Sequence, residues 1–159
     1  MSKVLYPGSF DPIHNGHLEI VETAAQLFDQ VVVAVTHNPQ KAAGMFSLAE
    51  RLAMVAESVA HLPNVSVTQF SGLVVDLARQ QGVSFIVKGL RVASDFEVEL
   101  QMAQMNKAVA GVDTVFLPSA SEHTFLASKF IREVARYGGD VTAMVPPPVA
   151  KRLAERHAS

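Results

Sequence analysis

Short apolar runs alternate with longer amphipathic stretches along this chain, and the alternation predicts its architecture. Runs over 3–6, 31–35, 65–70, 85–87 and 114–117 are rich in Val, Ile and Phe and are bounded by turn residues, which marks them as strands. Helical spacing of apolar positions covers 16–28, 47–61, 73–80 and 95–110, then 128–137 and 149–156. Ser47-Leu48-Ala49-Glu50 has the capping-box form that opens a helix, while Asp29 and Gly82 fall at helix ends. The strand runs are nearly continuous rather than alternating, as expected for strands covered on both faces. The prediction is an α/β fold: a doubly wound five-stranded parallel sheet with helices on both faces.

Length and composition keep this picture simple. A chain of 159 residues suffices for a single core, so residues 1–159 are expected to form one domain. Pro146-Pro147-Pro148 sets off only a final helix, about 149–156. Hydrophobic residues at 49% and charged residues at 18% exclude a disordered chain and leave apolar surface for oligomer contacts. A net charge of −2 gives no global attraction to nucleic acid or anionic membrane, so a polyanion site has to be local, which favours a small ligand. The lack of cysteine rules out disulfides, thiolate zinc sites and cysteine nucleophiles. The start of the chain is too weakly apolar for a signal peptide and no run approaches a membrane span, so the expectation is a soluble cytoplasmic protein.

In such a sheet ligands bind beyond the carboxyl ends of the strands. The unusual residues gather there, in Pro7-Gly8-Ser9-Phe10-Asp11, Asn38-Pro39-Gln40-Lys41, Lys88-Gly89-Leu90-Arg91 and the segment 119–129. Gly8 would let backbone N–H groups approach a phosphate, and Ser9 adds a hydroxyl. His14 and His17, three apart, share one side of a starting helix turn, whose positive end favours an anion. Read singly, each has an ordinary alternative. Asp11-Pro12 is a turn, Lys41 and Lys88 are surface charges, Glu99 is a helix carboxylate, and the Val98, Met102, Met105, Val109 stripe is core or subunit contact.

The string from Tyr6 through His14-Asn15-Gly16-His17 resembles the signature of the HxGH nucleotidyltransferase superfamily, whose members attack the α-phosphate of a nucleoside triphosphate and release pyrophosphate. Lys88-Gly89-Leu90-Arg91, Asp95-Phe96-Glu97, Glu99 and Gln101-Met102-Ala103-Gln104-Met105-Asn106 resemble the phosphopantetheine adenylyltransferases in particular. The resemblance runs almost end to end, through Asn38-Pro39-Gln40-Lys41, Met45-Phe46-Ser47-Leu48-Ala49-Glu50-Arg51, Glu133-Val134-Ala135-Arg136 and Gly139-Asp140-Val141.

That resemblance implies a Rossmann-like nucleotidyltransferase fold. It also implies transfer of the adenylyl group of ATP to 4′-phosphopantetheine, giving 3′-dephospho-coenzyme A and pyrophosphate, the penultimate step of coenzyme A biosynthesis. His17, Ser9, Lys41 and Lys88 would be the catalytic residues. ATP would meet Ser9, Phe10, His17, Gly89, Leu90, Arg91 and Glu99, together with His123, Thr124, Phe125, Leu126, Ala127, Ser128 and Lys129. The acceptor would meet Ser9, Lys41, Leu73, Val74, Lys88, Met102, Met105 and Asn106. Mg2+ would accompany ATP without a named protein ligand, coenzyme A would be a feedback ligand, and the assembly would be a homohexamer.

The chain departs from the family pattern at five places. Leu126-Ala127-Ser128-Lys129 replaces Ile-Ser-Ser-Ser or a close variant, Lys88 stands where arginine is frequent, and Val98 stands where tyrosine is frequent. His123 occupies a commonly aromatic position, from which it could stack on adenine, and His14 replaces threonine. His14 therefore keeps a nicotinamide-mononucleotide adenylyltransferase as a second reading. The altered 126–129 segment keeps a noncatalytic nucleotide sensor as a third.

Overall fold

The computed structural model describes residues 1–158, apart from the side chains of Ala93 and Ser94. Five strands, β1 (Lys3–Gly8), β2 (Gln30–Thr36), β3 (Val65–Phe70), β4 (Phe85–Leu90) and β5 (Asp113–Pro118), alternate with helices. The helices are α1 (Asn15–Leu27), α2 (Leu48–Ser58), α3 (Val74–Gln80), α4 (Ala93–Ala110), α5 (Ser128–Arg136) and α6 (Pro147–Ala158). The strands pair in the order β3-β2-β1-β4-β5, every pair parallel. The expected class is therefore the observed one.

Strand alternation explains the two covered faces. Val4 and Tyr6 of β1 and Val31, Val33 and Val35 of β2 point into one core with α1, α2, α5 and α6. Leu5, Val32 and Ala34 point the other way, onto Val75, Leu77 and Ala78 of α3. Since both sets are apolar, the strands read as unbroken hydrophobic runs.

The observed bounds differ from the pattern at strand ends and at helix ends, α2 stopping at Ser58, three residues short of the expected end, and α4 starting two residues early at Ala93. β1 continues through Pro7, paired with Ala34, and Gly8, paired with Val35. β4 continues through Gly89 and Leu90, opposite Leu117 and Pro118. Backbone pairing needs no apolar side chain, so it outlasts the hydrophobic signal. α2 opens with the expected reciprocal bonds between Ser47 and Glu50, and α6 begins two residues earlier than its pattern because prolines fit a first helical turn. α4 is different: its described residues include none that is buried. Among the described residues no helix is long and apolar enough to cross a membrane.

Candidate active site

β1 lies at the centre of the sheet, between β2 and β4, and the strand order reverses there. A crevice consequently opens past Gly8, between the loops that leave on either side. Phe10 adopts a positive φ of 49°, with its buried ring 5.5 Å from the ring of Tyr6 and edge-on to His17 at 5.0 Å. A Cβ on Gly8 would come within 2.9 Å of that ring. Gly8 is thus needed for the packing of Phe10 as well as for an open backbone.

Three long-range attachments fix the loop after β1. Arg51, buried on α2, donates to the carbonyls of Ser9 at 2.6 Å and Thr36 at 3.0 Å. Arg132 of α5 donates to the carbonyl of Asp11 at 2.6 Å. The buried Asp11 carboxylate accepts the backbone N–H groups of Met45 and Phe46, each at 2.9 Å. Gly44 permits that approach, for a Cβ there would sit 2.1 Å from the carboxylate. The segment carrying Lys41 is thereby tied to the loop carrying Ser9.

His14 caps α1, its Nδ1 accepting from the backbone N–H groups of Gly16 at 3.0 Å and His17 at 3.3 Å. Nδ1 of His17 accepts in return from the backbone N–H of His14 at 3.1 Å, and the rings stack 3.7 Å apart. With both Nδ1 atoms accepting, each neutral ring carries its proton on Nε2. Burial, then the charges of Arg91 and His123, pushes His14 down to about 4 from 6.5. Burial, then His14 and Arg91, holds His17 well below 6.5. Near neutral pH both imidazoles are therefore uncharged N–H donors. Such a pair suits negative charge developing on oxygen, and it is poorly suited to act as a base.

The structure divides the rim into two clefts on either side of Ser9 and Phe10. One, of about 350 Å³, is lined by Phe10, His14, His17, Lys88, Gly89, Arg91, Asp95, Glu99, Ala127, Ser128 and Lys129, among others. In it Lys88 pairs with Glu99 at 3.6 Å, and Arg91 pairs with Asp95 at 3.1 Å and donates to the Leu126 carbonyl. α5 starts here without a side-chain cap, because Ala127 holds the N-cap position and Ser128 Oγ bonds Pro12 at 2.9 Å. An uncapped helix start offers N–H groups and positive potential to an anion. The other cleft, of about 760 Å³, is lined by Ser9, Asp11, Arg51 and Val74, with the 36–44 segment, which contains Lys41, and the 46–48 and 70–72 segments.

The sequence-derived residues are distributed unevenly between these walls. Phe10, His17, Lys88, Gly89, Arg91, Glu99, Ala127, Ser128 and Lys129 share the first cleft, while Ser9, Lys41 and Val74 share the second. Leu73, Leu90, Thr124, Phe125 and Leu126 stand outside both walls, as do Met102, Met105 and Asn106 on α4. His123 also stands outside both walls, its Nδ1 engaged by Glu19, and the Leu126 carbonyl is held by Arg91. Gly89 also admits Ile20, whose side chain would lie 3.0 Å from a Cβ there.

Arg51 and Arg132 stand in segments that carry the resemblance, but their bonds to the loop after β1, the role of Glu19 and that of Asp11 are not readable from the motifs. Arg51 carried a usable signal, standing on the apolar stripe of α2 with Met54 and Val55, where an arginine needs buried acceptors. For Asp11 the partners lie 34 and 35 residues away, beyond any local pattern.

Comparison with known proteins agrees with this geometry. The chain belongs to the cytidylyltransferase-like family, whose model matches residues 5–135. Its structure is similar to that of a putative nicotinate-nucleotide adenylyltransferase from Vibrio parahaemolyticus, with a TM-score of 0.70 at 17% identity over 97% of this chain and 99% of that one. The fold is a Rossmann-like nucleotidyltransferase fold.

Proposed function

We propose that this protein transfers the adenylyl group of ATP to 4′-phosphopantetheine, giving 3′-dephospho-coenzyme A and pyrophosphate. The observation that carries the reading is the pair of neutral, N–H-donating histidines beside Lys88 and Arg91, with a second cleft across Ser9 that contains Lys41. ATP takes the first cleft, its phosphates meeting Arg91, His17 and the start of α5, and its adenosine lying toward Glu99, Gly89 and the 123–129 segment. The acceptor arm takes the second cleft, its phosphate turned toward Ser9 between Lys41 and Lys88. An oxygen of that phosphate attacks the α-phosphorus in line, a new P–O bond forms, and the bond to pyrophosphate breaks. No general base is required, because the attacking oxygen is already anionic.

Asp95 and Glu99 are each paired with a cation, and among the described residues no group of three His, Asp or Glu could hold a metal ion. Mg2+ therefore enters as part of the nucleotide substrate, held by phosphate oxygens and water. Leu73, Met102, Met105 and Asn106 border the arm only if a neighbouring subunit or a shift of α4 extends the second cleft. That requirement accords with the proposed homohexamer. Coenzyme A, the acceptor arm joined to a nucleotide, is the proposed feedback ligand, and the cytoplasm is the proposed site of action.

Adenylylation of a nicotinate or nicotinamide mononucleotide is the second reading, favoured by the similarity in fold to the Vibrio protein and by His14. Pyrophosphate release from Mg·ATP, measured separately with 4′-phosphopantetheine and with each mononucleotide, decides between them. Release with the mononucleotides alone would overturn the first reading. Tight ATP binding without release from any acceptor would indicate a nucleotide sensor.

A further inference from the structure

Glu19 lies on α1, two residues after His17, and reaches the segment that leads into α5. Its Oε1 accepts the backbone N–H of Ala120 at 2.8 Å, and its Oε2 meets Nδ1 of His123. The two side chains are only 25% and 24% exposed, so this is a sheltered pair. The other attachments of the segment lie near its ends. Ser119 donates to the Leu90 carbonyl from its backbone at 3.0 Å and its hydroxyl at 2.9 Å, Arg91 holds the Leu126 carbonyl, and Ser128 Oγ bonds Pro12. Between them the backbone crosses the first turn of α1, where the His123 carbonyl lies 3.7 Å from the position a Cβ on Gly16 would take.

We propose that Glu19 is a positioning residue that latches the 120–126 segment to α1 and so sets Ser119 and Ala127, the two residues at its ends that line the first cleft. The inference rests on the reading of that cleft as the ATP site. The two carboxylate oxygens act separately, Oε1 on the Ala120 amide and Oε2 on the His123 ring. One carboxylate then holds both the backbone and the ring of the same segment. The α1 helix thus carries His17 at its start and, one half-turn later, the group that holds the segment joining Ser119 to the start of α5. A nucleotide arriving at a pre-set segment avoids the entropy of ordering it.

Glu19→Ala should weaken ATP binding, measured by titration calorimetry, by about tenfold, as expected for loss of charge-assisted hydrogen bonds. Affinity for 4′-phosphopantetheine should stay within twofold, and hydrogen exchange at the Ala120 amide should quicken. Glu19→Gln, which retains an oxygen for Ala120, should recover part of both losses. ATP affinity within twofold of wild type in Glu19→Ala, or an equal loss for ATP and acceptor, would overturn the latch. Should Glu19→Ala fail to fold, His123→Ala must weaken ATP binding while leaving the Ala120 amide protected; an unchanged ATP affinity there overturns the proposal. Wild-type protein that binds no ATP removes both the nucleotide reading and the latch, whereas wild-type binding with an unaffected variant removes the latch alone.

Discussion

At His17 the chemistry depends on which ring nitrogen is free. Nδ1 is bound to the His14 amide, so in the proposed reaction only the Nε2 proton remains to meet a phosphate oxygen. Removing one such donor from a transition-state site costs about 10²–10³ in turnover. His17→Ala should therefore lower kcat for pyrophosphate release by at least that factor while circular dichroism stays native, and near-normal turnover would refute the assignment. His14 makes a separate prediction through pH. In the folded chain it stays neutral down to about pH 4, whereas unfolded it takes up a proton near 6.5. Between those values the unfolded chain binds the extra proton, so the His14 contribution to stability is complete above about pH 6.5 and declines as pH falls toward 4. His14→Asn keeps a capping oxygen without a titrating ring, and should flatten the decline in melting temperature across that window. His17 retains its own share of the slope; an unaltered slope in the variant would show that His14 is not the source.

At the scale of elements, the loop after β1 behaves as a hub held by α2, α5 and the 44–46 segment. Gly44→Ala tests one arm of it. The added methyl would occupy space within 2.1 Å of the Asp11 carboxylate, so the bonds to Met45 and Phe46 must break or the segment must move. Leaving buried polar groups unpaired costs about 1–3 kcal/mol. Denaturant unfolding should record a loss of that size, and KM for the acceptor should rise with KM for ATP little changed. Equal effects on both substrates would mean that the two clefts are not mechanically separate. This hub also shows why the sequence was readable only in part. The strands, the α2 cap and the rim loops follow from periodicity and turn chemistry within a few residues. The Asp11 contacts and the Arg51 and Arg132 bonds join distant segments, and histidine is not a usual N-cap, so the His14 cap carried no standard signal.

The whole molecule leaves one long helix, α4, with no buried residue among those described; Ala110 at its end packs on a core cluster and Phe96 meets the Phe116 ring. On α4, Val98, Met102 and Met105 are 67%, 55% and 59% exposed, and they repeat at the three- and four-residue spacing of a single helix face. Asp95 and Glu99 of the same helix line the first cleft and hold Arg91 and Lys88. The helix is therefore anchored to the site through its carboxylates while these neighbouring apolar side chains stay exposed, the arrangement expected if neighbouring subunits cover them in the proposed hexamer. Met105→Glu should place a charge in that contact and lower the mass seen by light scattering toward the monomer. Because the carboxylates that pair with Arg91 and Lys88 ride on this helix, kcat/KM should fall with the mass even though Met105 stands outside both clefts. A variant that is monomeric yet fully active would show that α4 holds its carboxylates in place without help from neighbours.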